Sequence, residues 1–426
     1  MKTLALLALS TLMSTTVLAQ NIAITGGKVI TMGENGTLHK ATILIEDGTI
    51  QQVSGDDIEI PEGYQVIDAS GKTVTPGLIG AFTSLGLVEV SSSAGVVDAT
   101  VDPTPITKTG AALDVSYAVN PDSSLMGVTR IEGMTAAATG ITYTDFLFSG
   151  QGAVISLSGD EPVLKSQAFV TVDVTGSGSE HTGGSRAALW VTIEQALAEA
   201  DAVTTLPGPD TAWHGLNTPN DISALKKVLS GDLPLFMKAD RASDIRQVIA
   251  FKERHSMINV VLIHAVEAWR VADALAEADI PVIIDPEYNL PGNFDQLGAT
   301  LANAARLEQA GVSVAIGMDT HNIRLATQHA GNAVASGLSY DAGIASLTRT
   351  PAQILGMEDT LGQIGTGYRA DVVIWSGDPL EVTEVAEQVI INGSLIDMES
   401  RQSRLRERYV GMDAASDTSA SHYVRP

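Results

Sequence analysis

Between Pro76 and about Gly356, runs that read as strands alternate with runs that read as helices, and this alternation constrains the fold more than any other feature. The helical stretches fall at 187–200, 221–229, 242–254, 268–278 and 303–310, each preceded or followed by a short apolar run. A chain that repeats strand and helix in this way builds a parallel sheet, because each helix carries the chain back to start the next strand in the same direction. The two ends read differently. Residues 22–67 and 371–396 are short apolar runs punctuated by turn pairs such as Gly26-Gly27, with no helical periodicity. The expected fold is therefore α/β: strand–helix units around a parallel sheet over residues 76–361, with a small discontinuous β domain formed by the two chain ends, 20–75 and 362–397. Residues 398–426 are expected to form a C-terminal helix, packed back on the body through the basic stretch 401–409, followed by a disordered tail.

Composition narrows the partners. Lysine plus arginine total 25 against 50 aspartates and glutamates, a formal net charge of -25 that repels nucleic-acid phosphates and anionic lipids. Nucleic acid and membrane are thus not expected as partners. Lys2, the apolar run from Leu4 to Met13 and the small residues ending at Ala19 have the layout of a secretory signal over residues 1–19, which implies a periplasmic or secreted protein. With no cysteine, thiol catalysis and thiolate metal sites are excluded, so any transition metal must be held by histidine, carboxylate or modified lysine. No Gly-x-Ser-x-Gly elbow and no phosphate-binding Gly-x-x-x-x-Gly-Lys-Ser/Thr run is present.

Gly71-Lys-Thr-Val-Thr-Pro-Gly-Leu-Ile79 resembles the segment that leads into the first barrel strand of the amidohydrolase superfamily, especially of imidazolonepropionase-like members. Residues 346–356 and 361–375 resemble that family's last barrel helix and its return to the outer sheet, and 150–157 and 238–245 match a secreted branch of the group. The resemblance implies that these units close into a distorted (β/α)8 TIM barrel with a small discontinuous β-sandwich domain. It also implies a hydrolase of carbon–nitrogen bonds other than peptide bonds, such as cyclic amides, acting on a small-molecule substrate, with a homo-oligomer possible because family members often assemble. Its site would lie at the carboxyl ends of the barrel strands, where a divalent metal, zinc above all, activates water beside an aspartate base. By the same resemblance, His264 and Asp319 stand at metal-ligand positions, and Asp319 is also the catalytic base. Lys238 stands where a histidine is common, as a candidate catalytic amine.

The departures are as specific as the matches. The two histidines that the family places on its first strand are replaced by Phe82 and Ser84, so the expected ligand set is degenerate. His321, two residues beyond Asp319, and Asp285, at the end of an apolar strand, are the candidate replacement ligands. His181, in the glycine-rich stretch 176–184, is expected on a flexible surface loop at one mouth of the barrel. Three readings remain open: a hydrolase with a rebuilt metal site, a catalytically silent barrel that binds a small molecule or partner, or a metal-free catalyst that uses the Lys238 amine for covalent or proton-transfer chemistry.

Overall fold

In the computed structural model, residues 21–414 are described, apart from 56–57, 91–93, 209 and 211. The expected signal segment and the expected disordered tail lie outside the described residues. Eight strands wrap into a nearly closed sheet: β1 (Leu78–Thr83), β2 (Met134–Thr139), β3 (Gln151–Ser156), β4 (Val163–Asp173), β5 (Leu235–Ala239), β6 (Val260–His264), β7 (Val282–Ile284) and β8 (Val314–Ile316). Neighbouring strands pair in chain order. All pairs are parallel except those made by β3, which runs antiparallel to both β2 and β4. The βα repeat is thus broken once: β3 and β4 are joined by six residues, too short a link for a helical crossover. The seam between β8 and β1 is bridged by residues 346–347. The Ser346 carbonyl accepts from the Ile316 N–H at 3.0 Å, and the Leu347 carbonyl accepts from the Ile79 N–H at 2.7 Å.

Alternation along the strands divides the side chains into two layers. Phe236, Val261, Ile263, Ile283 and Ala315 point into the barrel, while Leu235, Met237, Leu262, Val282 and Ile284 pack outward against the helices. Those helices include Arg186–Ala202, Pro219–Leu229, Ala242–Arg254 and Asn303–Gln309, close to the positions read from periodicity. The helix Pro219–Leu229 starts with a capping box, in which Thr218 accepts from the Asp221 N–H and the Asp221 carboxylate accepts from the Thr218 N–H.

Strands from both chain ends, including Ile22–Ile30, Thr37–Glu46 and Thr73–Pro76 from one and Val372–Trp375 and Ala386–Ile391 from the other, hydrogen-bond into one eight-stranded sheet. The join is the antiparallel pairing of Val372–Trp375 with Thr73–Pro76. Its own apolar core contains Ile22, Ile24, Ile43, Val74, Val372 and Ile390. A helix forms at Arg401–Ala414, but residues 404–410 are exposed, so the expected packing of this basic stretch against the body is not found. Its charged face gains more from water than from burial.

Candidate functional site

The carboxyl ends of β5, β6 and β8 bring Lys238, His264 and Asp319 together. Lys238 lies two residues beyond the inward-facing Phe236 and points the same way. His264 reaches the site differently. Strict alternation after Ile263 would turn it toward the helices, but its φ of 69°, followed by 52° at Ala265, turns the chain so that its ring faces Asp319. Asp319 itself has a φ of 30°. Left-handed backbone at non-glycine residues carries strain that the surrounding packing must hold in place.

The His264 Nε2 lies 2.8 Å from Asp319 Oδ2, and Lys238 Nζ is 3.6 Å from the same oxygen. Asp319 Oδ1 is buried with no hydrogen-bond partner among the described residues. Burial pushes the Asp319 carboxyl pKa up, but the hydrogen bond to His264 and the Lys238 charge outweigh it and hold the group below its ordinary value of 3.8. On its other side, His264 Nδ1 lies 4.0 Å from Asp240 Oδ1. Asp240 is buried, and sequence reading did not single it out, although its place just after β5, two residues beyond Lys238, was the available signal.

Phe82 decides what this site can hold. A register shift between β1 and β2, where Gly80 pairs with Ala137 but Thr83 with Thr139, inserts an extra residue in β1. Both Ala81 and Phe82 therefore join the interior layer. The Phe82 ring is 6.0 Å from that of Phe169 and 6.2 Å from that of Phe236, which stack on each other at 4.2 Å. The space left between Phe82, His264, Tyr288 and Asp319 is about 10 Å³, no more than one water occupies. Ser84 lies beyond the strand, its backbone N–H donating to the Thr320 carbonyl at 3.2 Å.

Neither replacement ligand completes a metal site. His321 is a correction: β8 ends at Ile316, and the left-handed turn at Asp319 breaks the two-residue period that would have put His321 on the same face. It makes no hydrogen bond, ion pair or ring contact among the described residues. Asp285 does line the pocket, but its Oδ1 is 2.9 Å from His329 Nδ1 and accepts from the Glu287 N–H at 2.9 Å. Among the described residues, no three histidine or carboxylate side chains converge as a metal would require. With a lysine ammonium against Asp319 and an aromatic cluster where two imidazoles were expected, the donor set does not fit a divalent ion.

The mouth above is crossed by residues 286–302. Tyr288 covers His264, with ring centroids 5.9 Å apart, and burial followed by the charges of Asp285, Asp319 and Asp240 raises its pKa. The strap is tied down at three points. Arg186 binds both Asp295 and Asp244, and the Gly176 N–H donates to Asp295 at 3.1 Å. Gln296 Nε2 donates to Asp240 at 2.9 Å, and the Gly298 N–H donates to Glu267 at 2.6 Å. Residues 176–184 are thus not a free loop: Gly176–Glu180 is a short helix, and His181 lies 3.3 Å from Asp145, partly buried. The Asp295→Asn variant loses charge-assisted hydrogen bonds worth about 1.5–3 kcal/mol, so amide exchange across the strap should speed up at least about tenfold, as read by hydrogen-exchange mass spectrometry. Unchanged exchange would mean that Asp295 does not hold the strap.

A parallel-dominated barrel and an outer sheet drawn from both chain ends form a fold shared with a solved amidohydrolase structure. The chain is similar to members of the amidohydrolase superfamily in sequence and in fold. The amidohydrolase family profile matches residues 240–397. The chain is 25% identical over 394 residues to imidazolonepropionase of Cereibacter sphaeroides, covering 84% of this chain and 94% of that enzyme. It is 24% identical over 392 residues to amidohydrolase tasK of Hapsidospora irregularis, covering 83% of this chain but spanning only 39% of that protein's length. Among solved structures, an amidohydrolase from Thermotoga maritima superposes with a TM-score of 0.77 at 24% identity, over 88% of this chain and 99% of that one.

Proposed function

We propose that this chain is an exported amidohydrolase-superfamily barrel that works without a divalent metal and binds a small ligand at its mouth rather than hydrolysing it. The observation that carries this reading is the place of Phe82, whose ring belongs to a packed aromatic cluster beneath Asp319 instead of offering a ligand to a metal. Lys238 supplies the positive charge that a metal would otherwise bring to Asp319. Export is supported by the layout of residues 1–19, and the net charge of -25 argues against nucleic acid and anionic membrane as partners.

One observation favours a second reading. The His264–Asp319 pair is kept, and both residues sit on left-handed backbone, as strained catalytic residues often do. In that reading the protein is a hydrolase of carbon–nitrogen bonds such as those of cyclic amides, with Asp319 as base, His264 as electrophile and Lys238 keeping Asp319 ionised. A screen of lactams, cyclic imides and imidazolones, run with and without added zinc, separates the two. The first reading expects no turnover above the blank under either condition. Turnover that disappears in Asp319→Asn would overturn it in favour of the second.

A further inference from the structure

A cleft of about 550 Å³ lies on the outer, helical layer of the barrel, apart from the His264–Asp319 pocket. It is lined by Arg246 of the helix Ala242–Arg254, by Trp269 and Arg270 just after β6, by Asp273, and by Arg306 and Gln309 from the helix Asn303–Gln309 and its vicinity. Three arginines against one lining carboxylate is the reverse of the whole chain, in which acidic residues outnumber basic ones two to one. In so acidic a protein, an arginine readily finds a carboxylate. Arg270 does, with Nη1 3.3 Å from Glu267, whereas the side chains of Arg246 and Arg306 make no hydrogen bond or ion pair among the described residues.

The geometry around Arg306 is that of a prepared donor. Its guanidinium lies 4.2 Å from the Trp269 ring centroid, and Arg270 lies 5.6 Å from the same ring. The indole cannot drift, because its Nε1–H donates to the Gly298 carbonyl at 2.8 Å and the Trp269 N–H donates to Asn303 Oδ1 at 3.0 Å. Asn303 is fixed in turn by donating to the Ala265 carbonyl at 3.0 Å. A guanidinium stacked on a fixed indole loses little freedom on binding, and its edge N–H groups match the spacing of two oxygens on a carboxylate or phosphate.

We propose that this cleft is an oxyanion site that takes a small molecule bearing a carboxylate or phosphate, with Arg246 and Arg306 as its cations and Trp269 as the platform that orients Arg306. The proposal does not depend on what the barrel pocket does. It is tested by calorimetric titration of the full chain with inorganic phosphate and with succinate, against chloride at equal ionic strength. The expected result is binding of one of the two that weakens at least about tenfold in Arg306→Gln and in Arg246→Gln, with partial recovery in Arg306→Lys and unchanged melting temperatures. A response to phosphate alone assigns a phosphate ester, and a response to succinate alone assigns a carboxylate. Binding of neither above the chloride level overturns the proposal, as does binding that neither substitution weakens. A change of oligomeric state in Arg306→Gln without any anion response would give the cleft to a protein contact and overturn it equally.

Discussion

Replacing Phe82 with alanine is expected to destabilise the protein by about 3–5 kcal/mol, the usual cost of removing a fully buried aromatic ring and leaving its cavity. Phe82 is 3% exposed and touches a stacked pair, Phe169 and Phe236, that spans β4 and β5. The hole would open at the barrel centre, where the rigid strands around it can collapse only a little. Chemical unfolding of wild type and Phe82→Ala, with Phe82→Leu as a milder control, reads the cost directly. A loss under about 1 kcal/mol would mean that the ring does not fill the interior, and that the space is open for something else.

The second large effect concerns Lys238. Its ammonium and the Asp319 carboxylate are both mostly buried, 23% and 16% exposed, so removing the cation strands a carboxylate whose remaining partner is His264. Lys238→Met should cost about 1–3 kcal/mol, less than a fully enclosed pair because water still reaches the lysine. The pH dependence follows from the depressed pKa of Asp319. A carboxyl group whose folded pKa lies below its unfolded value stabilises the fold fully above that unfolded value, near 3.8, and the contribution vanishes as pH falls through the folded value. Without Lys238 one of the lowering influences is gone while burial still raises the pKa, so the folded value moves up and the stabilisation on the acid side shrinks. Unfolding midpoints measured from pH 7 down to 3 should show wild type and Lys238→Met converging toward the acid end. Parallel curves would contradict the pairing.

Much of the fold could be read from the sequence because its signals are local. The helix Ala242–Arg254 matches its expected span, and the strands Leu235–Ala239 and Val260–His264 followed from short apolar runs. The resemblance also marked Phe82, Ser84 and Lys238 as departures from the family pattern. What escaped depended on distant partners or on backbone turns that periodicity cannot see. The register shift in β1 makes Ala81 and Phe82 share the interior, and the left-handed residues at His264 and Asp319 rotate side chains off their strand phase. His321 was misplaced for the second reason. The strap is invisible locally, because Arg186 and Asp295 are 109 residues apart, and Asp240 gained its role only when Gln296 was folded over it.

Zinc titration of the chelator-treated protein by calorimetry, paired with elemental analysis of the protein as purified, tests the metal-free barrel most directly. A barrel that works without metal carries no near-stoichiometric metal and binds zinc no tighter than about millimolar, a free energy of about 4 kcal/mol. One equivalent of zinc bound at micromolar or tighter and lost in Asp319→Asn would contradict it, and would mean that His264 and Asp319 recruit further ligands by displacing Lys238.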